Sequence, residues 1–192
     1  MIPELGHFAL ILSLFVALAL GILTVAGGQT GRRDWIALAR PGTQALWLLT
    51  AVAYGCLTYA FYTNDFSVVY VVQHSNSGLP AMYRIAGVWG GHEGSLLLWH
   101  FMLTSWMMAV SLFSRQLPDA MVSRVLGILA LVAVGFLLFM LVTSNPFLRL
   151  IDVPADGRDL NPLLQDPGLV FHPPMLYMGY VGLAVPFAFA IA

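Results

Sequence analysis

The chain has 192 residues, of which 59% are hydrophobic and only 9% are charged, and its formal net charge at pH 7 is −1. Soluble domains carry about 25% charged residues, so the composition excludes an ordinary soluble domain. The lack of basic excess excludes a nucleic-acid-binding protein. A single cysteine, Cys56, excludes a disulfide framework, a CxxC redox pair and a thiolate metal cage within this chain. We therefore expect an all-α polytopic membrane protein.

Five apolar segments approach the ~20 residues that a helix needs to cross a bilayer. In chain order they run from about Phe8 to Ala26, Ala45 to Tyr62, Ser95 to Phe113, Val122 to Val142, and from after Pro174 to Ala192. We expect one membrane domain over residues 1–192, with long loops at about 63–92 and 143–172. The first segment has no positively charged start, so we expect a retained helix rather than a signal peptide. The last segment ends without a cap or charged flank, and we expect a longer protein.

The distribution of arginines predicts the orientation. Five of them lie in the short loops that follow the first and third segments, and three lie in the two long loops, which also carry six acids. Short loops rich in arginine face the cytoplasm. The N-terminus and both long loops are therefore expected on the outer side, which is the periplasm in a bacterium.

The stretch FHPP places His172 directly before two prolines at the start of the fifth segment. A residue before proline is driven out of the helical region, and prolines suit the first turn of a helix. We therefore expect His172 to be the last extended residue before the fifth helix. Its imidazole is a candidate axial ligand of haem iron; the alternative is an interfacial histidine bonded to a loop carbonyl. Gly179, Gly182 and Pro186 share one side of that helix, where a helix or a flat ligand could approach.

The stretch WGGHEGSLLLWHFMLTSW, residues 89–106, opens the third segment. Ser95 is the predicted N-cap, and Glu93 and His100 share one face if the helix starts earlier. His100 is a ligand, a proton relay or a buried hydrogen-bonding group facing a neighbouring helix. Three further histidines fit surface positions: His7, His74 and His92.

The loop of residues 152–174 is rich in proline and acids, and its turn formers are Asn161-Pro162 and Asp166-Pro167-Gly168. We expect an ordered connection because four of its apolar side chains need burial: Leu160, Leu163, Leu164 and Val170. The acids are either solvated charge or a docking face for a partner.

Three stretches together resemble the CcmF/NrfE family of cytochrome c-type biogenesis proteins, a branch of the haem-handling superfamily. They are GGHEGSLLLW, GFLLFMLVTSNPF and NPLLQDPGLVFHPPMLYMGY, and the resemblance extends over essentially all 192 residues. It implies a multi-pass protein of the bacterial inner membrane with its active face in the periplasm. It also implies a haem lyase step, in which haem vinyl groups are joined to the thiols of a CxxCH apocytochrome c.

The resemblance also implies a site and partners. His172 matches the first of two periplasmic histidines that ligate haem iron in the family. The implied partners are the haem chaperone CcmE, the proteins CcmH and CcmI, apocytochrome c and the remaining C-terminal part of the protein. Family members also carry a tryptophan-rich periplasmic segment, a second periplasmic histidine and the ligands of a structural b-type haem, and none of these matches a position in this sequence. No other histidine is assigned as a haem ligand, and the catalytic residues stay unknown.

Two other functions are compatible with the residues. A haem transporter or channel subunit predicts an ionisable pathway through the bundle and a repeat of helices, and the sequence has neither. A non-catalytic membrane scaffold of the cytochrome c assembly complex predicts that the 152–166 loop is essential while His172 is dispensable.

Overall fold

The computed structural model describes residues 1–192, apart from the side chain of Leu169. The described chain is helical, with α1 (Ile2–Thr30), α2 (Arg33–Ala37), α3 (Ala39–Tyr62), α4 (Val69–His74), α5 (Ala81–Gly87), α6 (His92–Phe113), α7 (Asp119–Val142), α8 (Pro167–Gly182) and α9 (Ala184–Ile191). Five helical segments are long and apolar enough to cross a membrane: Ile2–Thr30, Arg33–Tyr62, His92–Phe113, Asp119–Val142 and Val170–Ile191. The prediction of an all-α protein with about five spans is confirmed.

The bundle is built around α1, which packs mainly against α7 and α3, while α6 packs between α3 and α7. Glycines allow the closest approach, because a Cβ on Gly127 of α7 would lie 2.4 Å from Thr24 Oγ1 of α1. Next to this contact the Ser123 hydroxyl donates a hydrogen bond of 2.7 Å to the Thr24 carbonyl. Small residues and interhelical hydrogen bonds of this kind drive helix association within membranes.

The two long loops, residues 63–91 and 143–166, lie at the same end of the bundle as the N-terminus, and we call this the loop end. They pair through their backbones: the Val69 N–H donates to the Leu148 carbonyl at 2.9 Å, and the Leu150 N–H donates to the Ser67 carbonyl at 2.8 Å. Arg149 adds an ion pair with Glu4 of α1, with Nε 3.2 Å from Oε1. Exposed ion pairs contribute little, so the loops are joined mainly by hydrogen bonds, both between their backbones and from side chains such as Asp156.

The fifth span begins earlier than the sequence predicts. Helix α8 starts at Pro167, and the side chain of its N-cap, Asp166, accepts a hydrogen bond from the Gly168 N–H at 2.8 Å. This cap with proline at the first helical position starts the helix, so Pro173 and Pro174 lie inside it. The prediction that His172 is the last extended residue is wrong, because His172 lies within α8.

The start of α6 also differs from the prediction. The helix begins at His92 with Gly91 as its N-cap, so the assignment of Ser95 as N-cap is wrong. The Ser95 hydroxyl instead donates a hydrogen bond of 2.9 Å to the Trp89 carbonyl. Since the helix starts early, Glu93 and His100 do share one face of α6, two turns apart.

Candidate functional site

His172 lies on the exposed side of α8 at the loop end. It has no hydrogen-bond partner among the residues that the structure describes. One turn further along the helix lie Met175, which is 71% exposed, and Leu176, which is 43% exposed. A Cβ placed on Gly179, another turn along, would meet nothing within 4 Å. An imidazole with both nitrogens available, next to an open apolar strip, has the chemistry of a ligand for the iron of a haem group.

The fifth span is much less covered by the chain than the other spans. In its most apolar stretch only 11% of the residues are buried within the chain, compared with 39–50% in the other four spans. The sequence predicts that Gly179 and Gly182 share one side of this helix, but their surroundings differ. A Cβ on Gly182 would lie 3.3 Å from the indole ring of Trp106. Gly182 therefore serves helix packing, whereas Gly179 faces open space.

Three tryptophans connect α8 to the rest of the bundle. Trp89 donates its indole N–H to the Val170 carbonyl at 3.2 Å, and Trp106 donates to the Met178 carbonyl at 3.2 Å. Trp99 contacts the ring of Tyr177 edge-on, with centroids 5.6 Å apart. The two hydrogen bonds and the ring contact are spaced along one side of α8, so they fix its position and its rotation against α6.

The turn that carries Trp89 is held by a buried tyrosine. The Tyr70 hydroxyl donates to the Val88 carbonyl at 3.1 Å and accepts from the Gly91 N–H at 2.9 Å. Burial raises the pKa of Tyr70 above its ordinary value, so the phenol stays protonated and able to donate. Gly94 is required here, since a Cβ on it would lie 1.7 Å from the Val88 carbonyl oxygen.

A cavity of about 540 Å³ lies between this turn, the 143–166 loop and α8. Its volume is within the range of small-molecule sites. It is lined by Trp89, Gly90, Gly91, His92, Ser95, Asn161, Leu163, Leu164, Pro173 and Tyr177. Pro173 forms part of the cavity wall and directly follows His172. The cavity therefore lies next to the histidine that is the candidate iron ligand.

The three histidines predicted at surface positions all lie at the loop end, and each has a hydrogen-bonding partner there. His7 Nε2 is 3.2 Å from Asn145 Nδ2, and His92 Nδ1 is 3.2 Å from Ser144 Oγ. His74 Nδ1 is 3.0 Å from a backbone carbonyl one turn earlier in α4. Within the described residues, no three side chains of His, Cys, Asp or Glu are grouped as a metal site would require.

His100 is fully buried in the membrane-spanning part of α6. Its Nε2 lies 3.3 Å from the Thr50 hydroxyl of α3, and its Nδ1 has no partner in the part of the chain that the structure describes. Of the three predicted roles, the geometry matches a buried hydrogen bond to a neighbouring helix. His100 and His172 lie at different depths and do not form one site.

Of the four apolar side chains of residues 152–174 that are expected to need burial, only some are buried. Leu160 is fully buried and Val170 is 4% exposed, whereas Leu163 is 70% exposed, so its predicted burial is wrong. Asp156 binds the other long loop, because its carboxylate accepts hydrogen bonds from the Ser77 hydroxyl at 2.6 Å and the Ser77 N–H at 2.9 Å. These bonds and that from the Gly157 N–H lower the pKa of Asp156 below its ordinary value. At least one loop acid therefore has a structural partner.

Comparison with known proteins identifies the family to which this chain belongs. The family model of the cytochrome C assembly protein matches residues 89–192, more than half of the chain. The chain belongs to the cytochrome c assembly protein family. The matched range contains Trp89, α6, the 143–166 loop and the whole of α8 with His172, whereas Tyr70 of the candidate site lies before it.

Individual relatives agree. The chain is 58% identical to the cytochrome c-type biogenesis protein CcmF of Pseudomonas aeruginosa and 44% identical to the protein NrfE of Haemophilus influenzae, in each case over all of this chain. It spans only 29% and 30% of the length of these two relatives. A solved structure described as cytochrome c heme lyase CcmF has a TM-score of 0.84 and 26% identity, covering 100% of this chain and 30% of that one. This member of the assembly family is therefore a multi-pass membrane protein homologous to CcmF.

Two residues of the site, Trp89 and Tyr70, are not predicted from the sequence. A signal for Trp89 does exist, because prolines at 173 and 174 leave the Val170 carbonyl without a helical donor. An indole at the membrane interface is a suitable replacement donor. For Tyr70 there is no comparable signal, since its partners lie 18 and 21 residues further along the chain.

Proposed function

We propose that this chain is the part of a membrane haem lyase subunit that binds substrate haem at the periplasmic face and assists its covalent attachment to CxxCH apocytochrome c. The observation that carries the proposal is the placement of His172. Its imidazole is exposed on a helix that is anchored by tryptophans, beside an open apolar strip. The sequence resemblance assigns haem ligation to the same histidine, and it does so without using the structure.

The role of the chain in this reaction is binding and orientation. The imidazole of His172 would hold the haem iron, and Met175 and Leu176 would contact the porphyrin. Attachment adds the S–H of each apocytochrome thiol across a haem vinyl C=C bond, so the thiols come from the partner. Holding the vinyl groups in one orientation turns a chance encounter into an oriented reaction. The single cysteine here is buried in a span and does not take part.

The proposed assembly has several partners. Haem is delivered by the chaperone CcmE, the apocytochrome is presented by CcmH and CcmI, and the second axial ligand comes from the rest of the relatives' length. The structural b-type haem of the family is likewise held outside this chain. The loop end would then face the periplasm, with the protein in the bacterial inner membrane.

The test is a His172→Ala substitution in the full-length protein, expressed in cells that lack the native gene. His7→Ala is the matched control, because it removes an imidazole from the same end of the bundle. We expect His172→Ala to abolish covalent cytochrome c while CcmE still co-purifies, and His7→Ala to retain both. Normal cytochrome c with His172→Ala would contradict the lyase role. If disruption of the 152–166 loop then abolished cytochrome c maturation, the non-catalytic scaffold function would replace the lyase role.

A further inference from the structure

The Val170 carbonyl has no donor within its own helix. In an α-helix it would accept from residue 174, and in a 3₁₀ turn from residue 173. Both residues are prolines and carry no N–H. Val170 is only 4% exposed, so solvent does not replace the missing donor. This carbonyl lies two residues before His172.

Trp89 supplies the missing donor, with its indole Nε1 3.2 Å from the Val170 oxygen. The Trp89 carbonyl is itself held by the Ser95 hydroxyl at 2.9 Å. Tyr70 binds both sides of the same turn, through Val88 and Gly91. A continuous set of hydrogen bonds therefore runs from a buried phenol through the turn to the backbone of α8 beside His172.

We infer that Trp89 is a positioning residue for His172, acting through the carbonyl that the two prolines leave without a helical donor. This inference rests on the proposed function, since it concerns the orientation of the haem-binding imidazole. The two prolines would otherwise weaken α8 at the turn that carries His172. With the indole bond in place, that turn stays helical and the imidazole is held in one direction before haem binds, which favours tight binding.

The test compares Trp89→Phe with Trp106→Phe in the full-length protein. Both changes keep an aromatic ring and remove one indole N–H donated to a carbonyl of α8. The carbonyl that Trp106 contacts belongs to Met178, whose helical donor position is Gly182 and therefore has an N–H. The control thus removes the same type of bond where the helix does not depend on it.

Two readouts separate positioning from general stability. In the haem-free protein, we expect the amides of Phe171 and His172 to exchange with deuterium about three to ten times faster in Trp89→Phe than in Trp106→Phe, the effect of losing one needed hydrogen bond. Haem titrations follow the part of the Soret signal that depends on His172, which is the part lost in His172→Ala. This signal should require about three to ten times more haem in Trp89→Phe than in Trp106→Phe. Equal exchange and equal titrations in the two tryptophan variants would overturn the inference.

Two further arms keep the result interpretable. If Trp89→Phe does not fold, the sulfur isostere 3-benzothienylalanine at position 89 removes only the N–H and preserves the ring shape, and the same changes are expected. If His172→Ala itself leaves the haem spectrum unchanged, the proposed function fails. The exchange rates in haem-free protein then still decide whether Trp89 holds the helix.

Discussion

Replacing Gly94 with alanine should damage the turn that carries Trp89. Gly94 lies in the first turn of α6, where a Cβ would be 1.7 Å from the Val88 carbonyl oxygen and 2.7 Å from the Tyr70 hydroxyl oxygen. No rotamer change relieves a clash with backbone, so the turn must move. Overpacking of this kind costs about 1–3 kcal/mol. Loss of the Tyr70 hydrogen bond to Val88 costs about 1 kcal/mol more.

The control is Gly55→Ala in α3, where a Cβ would meet nothing within 4 Å. Alanine is favoured over glycine in a helix by about 1 kcal/mol, and both variants receive some of this gain. We therefore expect Gly94→Ala to be less stable than Gly55→Ala by about 2–4 kcal/mol. Thermal unfolding of the purified full-length protein in mild detergent measures the difference. If Gly94→Ala melts at the same temperature as the control, the close packing of Tyr70 against this turn is wrong.

Three further predictions concern other parts of the molecule. Thr50→Val keeps the shape of the side chain but removes the hydroxyl that bonds the buried His100, so it should lower the free energy of unfolding by about 1–3 kcal/mol. Thr50→Ser keeps the hydroxyl and loses only a buried methyl group, so it should lower the free energy of unfolding by less, about 0.8 kcal/mol. Hydrogen bonds lower the pKa of Asp156 below its ordinary value, so its contribution to the loop pairing is complete above the ordinary carboxylate pKa and is lost as the pH falls through the lowered pKa. Amide exchange in the 63–91 loop should therefore be faster in Asp156→Asn than in wild type at neutral pH. This difference should disappear in acid. In intact cells, a membrane-impermeant maleimide should label Asp152→Cys but not Arg115→Cys, with little background from the buried native cysteine, and the reverse pattern would invert the predicted orientation.

The number and approximate positions of the spans follow from the sequence because each is a long apolar run, and a run of that length is a strong signal for a membrane helix. The helix ends are less predictable. The fifth helix starts at Pro167 rather than after Pro174, since the Asp166 cap is the stronger local signal and a tertiary contact from Trp89 compensates for the internal prolines. The rule that a residue before proline avoids the helical region considers only neighbouring residues. It does not include a hydrogen-bond donor from elsewhere in the chain.

Only the central residue of the candidate site is predicted from the sequence. The pattern of a histidine before two prolines identifies His172, but the residues that hold its helix come from elsewhere in the chain. The pairing of Val69 with Leu148 brings the loops together, and this long-range contact leaves no periodic pattern in the sequence. The partner of His100 is similarly a threonine 50 residues away, so its role depended on how α3 and α6 pack.

The most direct test of the account is the absorption spectrum of the purified full-length protein titrated with haem, compared between wild type and His172→Ala. If His172 ligates haem iron, the variant should lose the part of the Soret band that depends on this histidine, while the spectrum of His7→Ala matches wild type. Identical titrations and identical spectra for wild type and His172→Ala would show that this imidazole does not bind the iron.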